Sequence, residues 1–238
     1  MSATPVPVSI GFILYPDLTQ LDLTGPFEVL SRLPSARLHL IARSFDPVKA
    51  SGGPLSILPT TDFGQCPPID ILCVPGGPGH LSAMLDDQLL AFLHERAPAC
   101  RYVTAVCTGS LILAAAGLLR GYRATTHWLS LGRLRRFGAE PIGDRVVFDR
   151  DRVTGGGVTA GIDFALRFVA ELAGDTFARD IELQIEYAPE PPFEGAPWAD
   201  PVRAGAIRSR LHAYVRQMEE VDQRAASQLE TLKPPLSR

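Results

Sequence analysis

The sequence predicts an α/β fold in which helices cover both faces of a mostly parallel sheet. Short apolar runs alternate with longer segments of helical periodicity along most of the chain, a pattern typical of parallel strands joined by crossover helices. One run, 69–74, ends in four consecutive apolar residues, as expected of a strand that is buried on both faces. A chain of 238 residues is long enough for one such domain with a short appendage.

The alternation gives each element a predicted position. Strands are predicted at 8–14, 38–42, 69–74, 101–106, 123–127, 146–148 and 152–154, with an edge hairpin or irregular strands at 51–63. Helices are predicted at 16–33, 86–96, 108–119, 129–137, 160–173 (with Thr159 as the N-cap) and 176–185.

The C-terminal part of the chain has a different pattern. Segment 187–197 is Pro-rich and typical of a linker, and 202–229 has the polar, amphipathic character of a helical extension. We expect that extension to pack on the core or on a second subunit. The chain is therefore predicted to form one domain at 1–190, followed by a linker and helical extension at 191–238.

The composition argues against several classes of protein. The net charge is −3 and no long basic run occurs, so nucleic acid is not expected as a partner. No apolar run approaches the ~18 residues that span a bilayer, and residues 1–7 lack the features of a signal peptide. We therefore expect a cytoplasmic protein that does not contact membranes. The four cysteines form no C-x-x-C pair, which favours neither a metal site nor a disulfide framework.

Cys107 is the strongest candidate for a catalytic residue. It lies between the apolar run 101–106 and the predicted helix 108–119, so that its thiol occupies a sharp strand-to-helix turn. The N–H groups that open a helix stabilise an anion by up to about 2 kcal/mol, and we expect them to lower the pKa of this thiol. Small or polar residues follow where a core helix accepts bulky ones. This favours a functional cysteine over a buried structural one.

A glycine-rich turn at Gly76 and Gly77 follows the buried strand 69–74. Its pattern does not match the G-x-G-x-x-G of a dinucleotide site. Glycine lets the backbone approach a reacting atom, so we expect the turn to bind substrate or an oxyanion, with the N–H groups of Gly77 and Thr108 as donors. A purely structural turn is the alternative.

Two further residues are candidates for acting on the thiol. Asp22 follows the first predicted strand, where it is either a helix-start residue or a carboxyl that shares a proton with Cys107. His127 ends a short strand and is either a packed histidine or the base of a Cys–His pair. The glycine-rich turn at 154–160 is expected to line the same edge of the sheet.

These motifs together resemble the ThiJ/PfpI superfamily, which is similar in fold to the class I glutamine amidotransferases. The segments that carry the resemblance are Val74-Pro-Gly-Gly77, Ala105-Val-Cys-Thr-Gly109, Ala124-Thr-Thr-His-Trp128 and Thr154-Gly-Gly-Gly-Val-Thr-Ala-Gly-Ile-Asp163. The resemblance implies a flavodoxin-like three-layer sandwich, a homodimer and no cofactor.

Within the superfamily the chain most resembles the isonitrile hydratases. The matching segments are Gln20-Leu-Asp-Leu-Thr-Gly-Pro26, Val106-Cys-Thr-Gly-Ser110, Gln184-Ile-Glu-Tyr-Ala-Pro189 and Pro191-Pro-Phe193. This resemblance implies that Cys107 is the nucleophile, with Thr108 beside it, and that Asp22 is the general acid and base. It gives His127 no required role. It also implies a small-molecule substrate, an isonitrile R–NC, which is hydrated to an N-substituted formamide through a covalent thioimidate.

Other activities of the superfamily remain as alternatives. An activated thiol is also an oxidation site, so a redox-sensing or stress role uses the same cysteine. A glyoxalase-like enzyme needs His127 in the catalytic pair, and some relatives are proteases. An AraC-type regulator needs a C-terminal helix-turn-helix region, for which the predicted extension is too short.

Overall fold

The computed structural model describes residues 8–193 and 195–231. The expected lack of a signal peptide at 1–7 lies outside the described residues, as do position 194 and residues 232–238 of the predicted extension. The predicted boundary at 190/191 falls between the last helix of the α/β part, which ends at Gln184, and the next α-helix, which begins at Pro201.

Most of the described strands lie at the predicted runs, and two, at 48–49 and 140–141, lie outside them. They are β1 (Ser9–Ile13), β2 (Arg37–Ala42), β3 (Val48–Lys49), β4 (Ser56–Ile57), β5 (Thr61–Asp62), β6 (Ile71–Val74), β7 (Tyr102–Val106), β8 (Arg123–Ala124), β9 (Glu140–Pro141), β10 (Val146–Asp149) and β11 (Arg152–Gly155). The α-helices are α1 (Gln20–Leu30), α2 (His80–Ala83), α3 (Asp87–Arg96), α4 (Gly109–Ala115), α5 (Ala160–Ala173), α6 (Asp175–Gln184), α7 (Pro201–Arg210) and α8 (His212–Thr231).

Seven of these strands form one sheet in the order β10-β11-β7-β6-β1-β2-β5. All neighbouring pairs are parallel except β10 and β11, which form an antiparallel pair. The chain runs from β1 to β2 and then returns to the other side of β1 with β6. The carboxyl ends of β1 and β6 therefore flank the switch point at which open α/β sheets bind their ligands.

Helices cover both faces of this sheet. On one face α5 packs against α1 and α6, and on the other α4 packs against α2, α3 and α8. The strands between them are buried on both sides, with Ile10, Ile71 and Val103 fully inaccessible to solvent. The predicted mostly parallel sheet between two helical layers, with helices added at the C-terminus, is confirmed.

Three local predictions differ in detail from the structure. The segment predicted as a helix at 129–137 is a 3₁₀ helix, Trp128–Phe137, with Gly132 in its interior, where glycine weakens an α-helix. The strand predicted at 123–127 extends only over Arg123–Ala124. Thr159 stands at the N-cap of α5 with helical backbone angles and caps no helix N–H. Its Oγ1 accepts a hydrogen bond from Arg145 Nη2 at 3.4 Å instead.

The C-terminal extension packs on the core of the same chain. It forms two helices, α7 and α8, rather than one continuous helix. The buried residues of α8 lie on one face of the helix: Met218, Val221, Asp222, Ala225 and Leu229. This face contacts α4 and the 3₁₀ helix Trp128–Phe137. Within the described residues, no helix combines the length and the apolar character that a membrane span requires.

Candidate active site

Cys107 lies in the turn between β7 and α4, as the sequence predicted. Its φ of 56° is in the left-handed region, which is unfavourable for a residue with a side chain. Hydrogen bonds hold this backbone in place. Its N–H donates to the carbonyls of Gly155 (3.0 Å) and Gly156 (2.9 Å), and its carbonyl accepts from Thr126 Oγ1 at 2.7 Å. The neighbouring strand β11 therefore imposes the strained turn that presents the thiol.

Asp22 faces the thiol from the first turn of α1. The residue is 2% exposed, and its Oδ2 accepts a hydrogen bond from the N–H of Gly76 at 3.1 Å. A Cβ atom added to Gly76 would lie 2.8 Å from both Asp22 Oδ2 and Cys107 Cβ. The lack of a side chain at Gly76 therefore allows the carboxyl and the thiol to meet.

Burial raises the proton affinity of both groups. Burial raises the pKa of Asp22 to about 7, although hydrogen bonds with Cys107 and Gly76 oppose that change. Burial, followed by the charge of Asp22, raises the pKa of the Cys107 thiol well above its ordinary value. The predicted lowering of the thiol pKa was therefore wrong, because desolvation outweighs the N-terminus of the short helix α4. Burial therefore favours the protonated form of both groups.

Two backbone N–H groups are directed at the sulfur, those of Thr108 and Val158, and both lower the pKa of the thiol against the effect of burial. The sequence predicted the donor at Thr108 and missed the one at Val158. A signal for it existed in the glycines at 155–157, which open α5 at the carboxyl edge of the sheet. Free N–H groups of a helix start collect at such a position.

The predicted oxyanion donor at Gly77 is engaged elsewhere. Its N–H donates to Thr108 Oγ1 at 2.9 Å, and its carbonyl accepts from the same hydroxyl at 3.2 Å. The N–H of Gly76 is likewise bound to Asp22. In this structure the two glycines therefore hold Asp22 and Thr108 in place, and neither offers a free N–H to an oxyanion.

His127 is not brought to the thiol. Its Nδ1 accepts the N–H of Leu129 at 3.3 Å, and its ring lies against Gly157 and Trp128. Burial lowers its pKa. Among the described residues, no hydrogen bond or electrostatic interaction joins His127 to Cys107. The packed-histidine interpretation agrees with this geometry.

Two tyrosines near the thiol were not predicted. The Tyr15 hydroxyl donates to the carbonyl of Pro75 at 2.8 Å, and burial, Asp22 and Cys107 raise its pKa, in that order. Tyr214 reaches the site from α8, where its hydroxyl interacts electrostatically with Arg133 and Cys107. Tyr15 follows the first strand and could have been found from that position. Nothing local in the sequence identifies Tyr214, because its position depends on how α8 docks.

The site therefore combines a nucleophilic thiol, a carboxyl that can carry a proton, and two N–H donors. All four cysteines are free thiols. Within the described residues, no group of histidines, cysteines and carboxylates is arranged to hold a metal ion. These components suit addition of a thiol to a small electrophile, with proton transfer by the carboxyl.

Comparison with known proteins agrees with this site. The chain is 49% identical to an isonitrile hydratase of Pseudomonas putida, over 93% of this chain and 98% of that protein. It is 33% identical to the HTH-type transcriptional regulator GbdR of Pseudomonas aeruginosa, over 76% of this chain but only 51% of the regulator. The crystal structure of a ThiJ/PfpI family protein from Pseudomonas syringae superposes with a TM-score of 0.87 at 42% identity, covering 92% of each chain.

The family model of the DJ-1/PfpI family matches residues 8–171, which include Asp22, Cys107 and both glycine-rich turns. This match confirms the resemblance that the motifs indicated. The helices α7 and α8 lie beyond the matched residues. The chain belongs to the DJ-1/PfpI family.

Proposed function

We propose that this protein is an enzyme that hydrates isonitriles, R–NC, to N-substituted formamides, R–NH–CHO. One observation carries the proposal: the Cys107 thiol and the proton-bearing Asp22 carboxyl are paired in a chain that is 49% identical, over 93% of its length, to an isonitrile hydratase. The roles of the individual residues follow from the geometry around that pair.

In the first step Cys107 adds to the terminal carbon of the isonitrile. The ionised Asp22 carboxyl takes the thiol proton as the S–C bond forms, and passes this proton to the same carbon. The product is a thioimidate, R–N=CH–S–Cys107. The N–H groups of Thr108 and Val158 stabilise the negative charge on sulfur while the proton is in transit.

In the second step water resolves the thioimidate. Asp22, again a carboxylate, takes a proton from water as the oxygen attacks the carbon, and passes this proton to the nitrogen. The tetrahedral species R–NH–CH(OH)–S–Cys107 then collapses, which breaks the C–S bond and returns the proton to the thiol. One water is consumed and R–NH–CHO is released, so the enzyme is regenerated without a cofactor.

The alternatives have less support from this geometry. A glyoxalase-like reaction needs His127 beside the thiol, and its ring is bound elsewhere. Fast peroxide sensing needs a thiolate, whereas burial and Asp22 keep the pKa of Cys107 high. A homodimer and a cytoplasmic location remain parts of the proposal; the first comes from the family resemblance and the second from the composition of the sequence.

The test is formamide production from alkyl and aryl isonitriles by the purified protein, followed by formamide absorbance and by mass spectrometry. Cys107→Ala is the matched inactive variant. We expect turnover by the wild type and none above background by Cys107→Ala. Absence of formamide with every isonitrile tried, or equal rates for the two proteins, would contradict the proposal.

A further inference from the structure

A buried chain of polar contacts connects α8 to the glycine-rich turn of the active site. Arg133, in the 3₁₀ helix, donates from Nε and Nη2 to the Asp222 carboxylate of α8, at 2.8 and 2.7 Å. Its Nη1 contacts Nε2 of His80 at 2.9 Å. Nδ1 of His80 in turn contacts the carbonyl of Gly77 at 2.8 Å. His80 is fully buried and Asp222 is 2% exposed.

The chemistry of the end groups fixes the direction of every hydrogen bond in this chain. A guanidinium can only donate, so His80 Nε2 accepts from Arg133. A carbonyl can only accept, so His80 Nδ1 carries the proton that is donated to Gly77. Burial and the charge of Arg133 lower the pKa of His80 to about 3, in agreement with a neutral ring. The histidine is therefore held in one tautomer.

The chain ends at the groups that contact the thiol. The carbonyl of Gly77 also accepts from Thr108 Oγ1, and the N–H of Gly77 donates back to that hydroxyl. The backbone N–H of Thr108 is one of the two groups directed at the Cys107 sulfur. Any displacement of the Gly77 carbonyl would therefore change the donor geometry at the sulfur.

Docking of α8 does not by itself require these charges. The helix already buries Met218, Val221, Ala225 and Leu229 against the core. A buried ion pair is an unfavourable way to attach a helix, because both charges lose their hydration. Asp222 also lies outside residues 8–171, to which the family model applies. The ion pair therefore needs an explanation other than attachment.

We propose that His80, Arg133 and Asp222 are positioning residues for the reaction at Cys107. They transmit the docked position of α8 to the Gly77 turn and so keep the N–H of Thr108 directed at the sulfur. None of the three contacts the thiol, and none takes up or releases a proton during turnover. The measurement of turnover rests on the proposed isonitrile hydration, whereas the alkylation rate of Cys107 does not depend on that function.

The main experiment replaces the two charged side chains by apolar ones. Arg133→Met combined with Asp222→Leu replaces the ion pair by apolar side chains, a change that buried ion pairs often tolerate. We expect a folded protein whose kcat for isonitrile hydration is about tenfold lower, with KM changed less than about twofold, as for a lost interaction specific to the transition state. Alkylation of Cys107 by iodoacetamide, measured by mass spectrometry, should also slow several-fold. Glu219→Gln, an exposed carboxylate on the same helix, is the control and should leave both rates unchanged.

A second pair of variants tests the histidine. The amide nitrogen of asparagine lies where Nδ1 of histidine lies, so His80→Asn keeps the side-chain donor to Gly77 but loses the Nε2 acceptor for Arg133, whereas His80→Ala loses both. We expect His80→Asn to lower the alkylation rate of Cys107 as much as the double variant does, and His80→Ala to lower it at least as much. A purely structural role predicts instead that both substitutions slow the reaction in proportion to their loss in thermal stability.

The outcomes separate this inference from the proposed function. Wild-type alkylation and turnover in the folded Arg133→Met/Asp222→Leu variant would overturn the positioning role, as would a wild-type alkylation rate in His80→Asn. If the double variant does not fold, the two histidine variants decide. If the wild type hydrates no isonitrile, the proposed function fails, and the alkylation rates alone decide whether the three residues position the turn.

Discussion

Cys73 and Cys107 are two buried thiols on neighbouring strands of one sheet, and only one of them has the surroundings of a nucleophile. Each is 5% exposed. Cys73 lies inside β6, hydrogen-bonded with Thr104 Oγ1 at 3.1 Å, and burial raises its pKa to about 12. Cys107 lies one residue beyond the end of β7, where Asp22 and the N–H groups of other elements reach its sulfur. Burial therefore does not distinguish the two thiols. Their position relative to the end of the strand does.

The largest expected effect tests this contrast directly. Cys107→Ala should lower isonitrile turnover to background, because no other group can form the thioimidate. Cys73→Ala should keep turnover within about twofold of wild type and cost about 1 kcal/mol of unfolding free energy, since it removes only a packed sulfur. Formamide assays and urea unfolding of the two variants measure both quantities. Comparable activity losses for the two substitutions would show that Cys107 and Cys73 do not differ in function.

Asp22→Asn should separate chemical reactivity from catalysis at Cys107. Without the carboxylate, the thiol loses a neighbouring negative charge that raises its pKa, so alkylation by iodoacetamide at pH 8 should become faster. Isonitrile hydration should fall by at least about 100-fold, because the acid and base of both steps is missing. The proposed role of Asp22 would be wrong if hydration and alkylation changed in the same direction.

The same substitution should change how stability depends on pH. The pKa of Asp22 is raised to about 7 by folding, so the stability that this group contributes is present at low pH and is lost as the pH rises through 7. The asparagine side chain of the variant does not titrate. The quantity to compare is the unfolding free energy of the variant minus that of the wild type. It should be about 2–4 kcal/mol larger at pH 8 than at pH 4, since one pKa unit corresponds to about 1.4 kcal/mol. Urea unfolding of both proteins at the two pH values measures this difference, and a pH-independent difference would contradict it.

The smallest expected effect concerns α8. Tyr214→Phe removes a hydroxyl that interacts with Cys107 and leaves the packed ring in place. Turnover should fall about twofold, as expected for the loss of one weak electrostatic interaction. Steady-state kinetics of this variant beside Tyr187→Phe, a tyrosine for which no interaction with Cys107 is found, provides a matched comparison. Equal rates for wild type and Tyr214→Phe would show that the hydroxyl does not act on the thiol.

The structural features that could be predicted are those that depend on local sequence patterns. An apolar strand followed by small residues placed Cys107 at a strand-to-helix turn, and alternation of elements predicted the parallel sheet. Asp22 was less certain from its own segment, because a carboxyl near a helix start has a common structural role. Only the family resemblance favoured its pairing with the thiol.

The features that could not be predicted depend on contacts between distant segments. The N–H of Gly77 is blocked by the Thr108 hydroxyl, a side-chain contact that no local pattern encodes. The pKa of Cys107 follows from how completely the site is buried, whereas the helix N-terminus alone indicated the opposite direction. Arg133 and Asp222 are 89 positions apart, so their pairing depends on where α8 docks.

The left-handed backbone at Cys107 has a consequence for how this protein would evolve if its activity were no longer needed. Glycine adopts that conformation without the roughly 1–2 kcal/mol that other residues lose in it. A population selected only for abundant, folded protein should therefore replace the cysteine by glycine before it replaces most core residues. Retention of cysteine at this position across descendants would then record continued selection for the reaction itself.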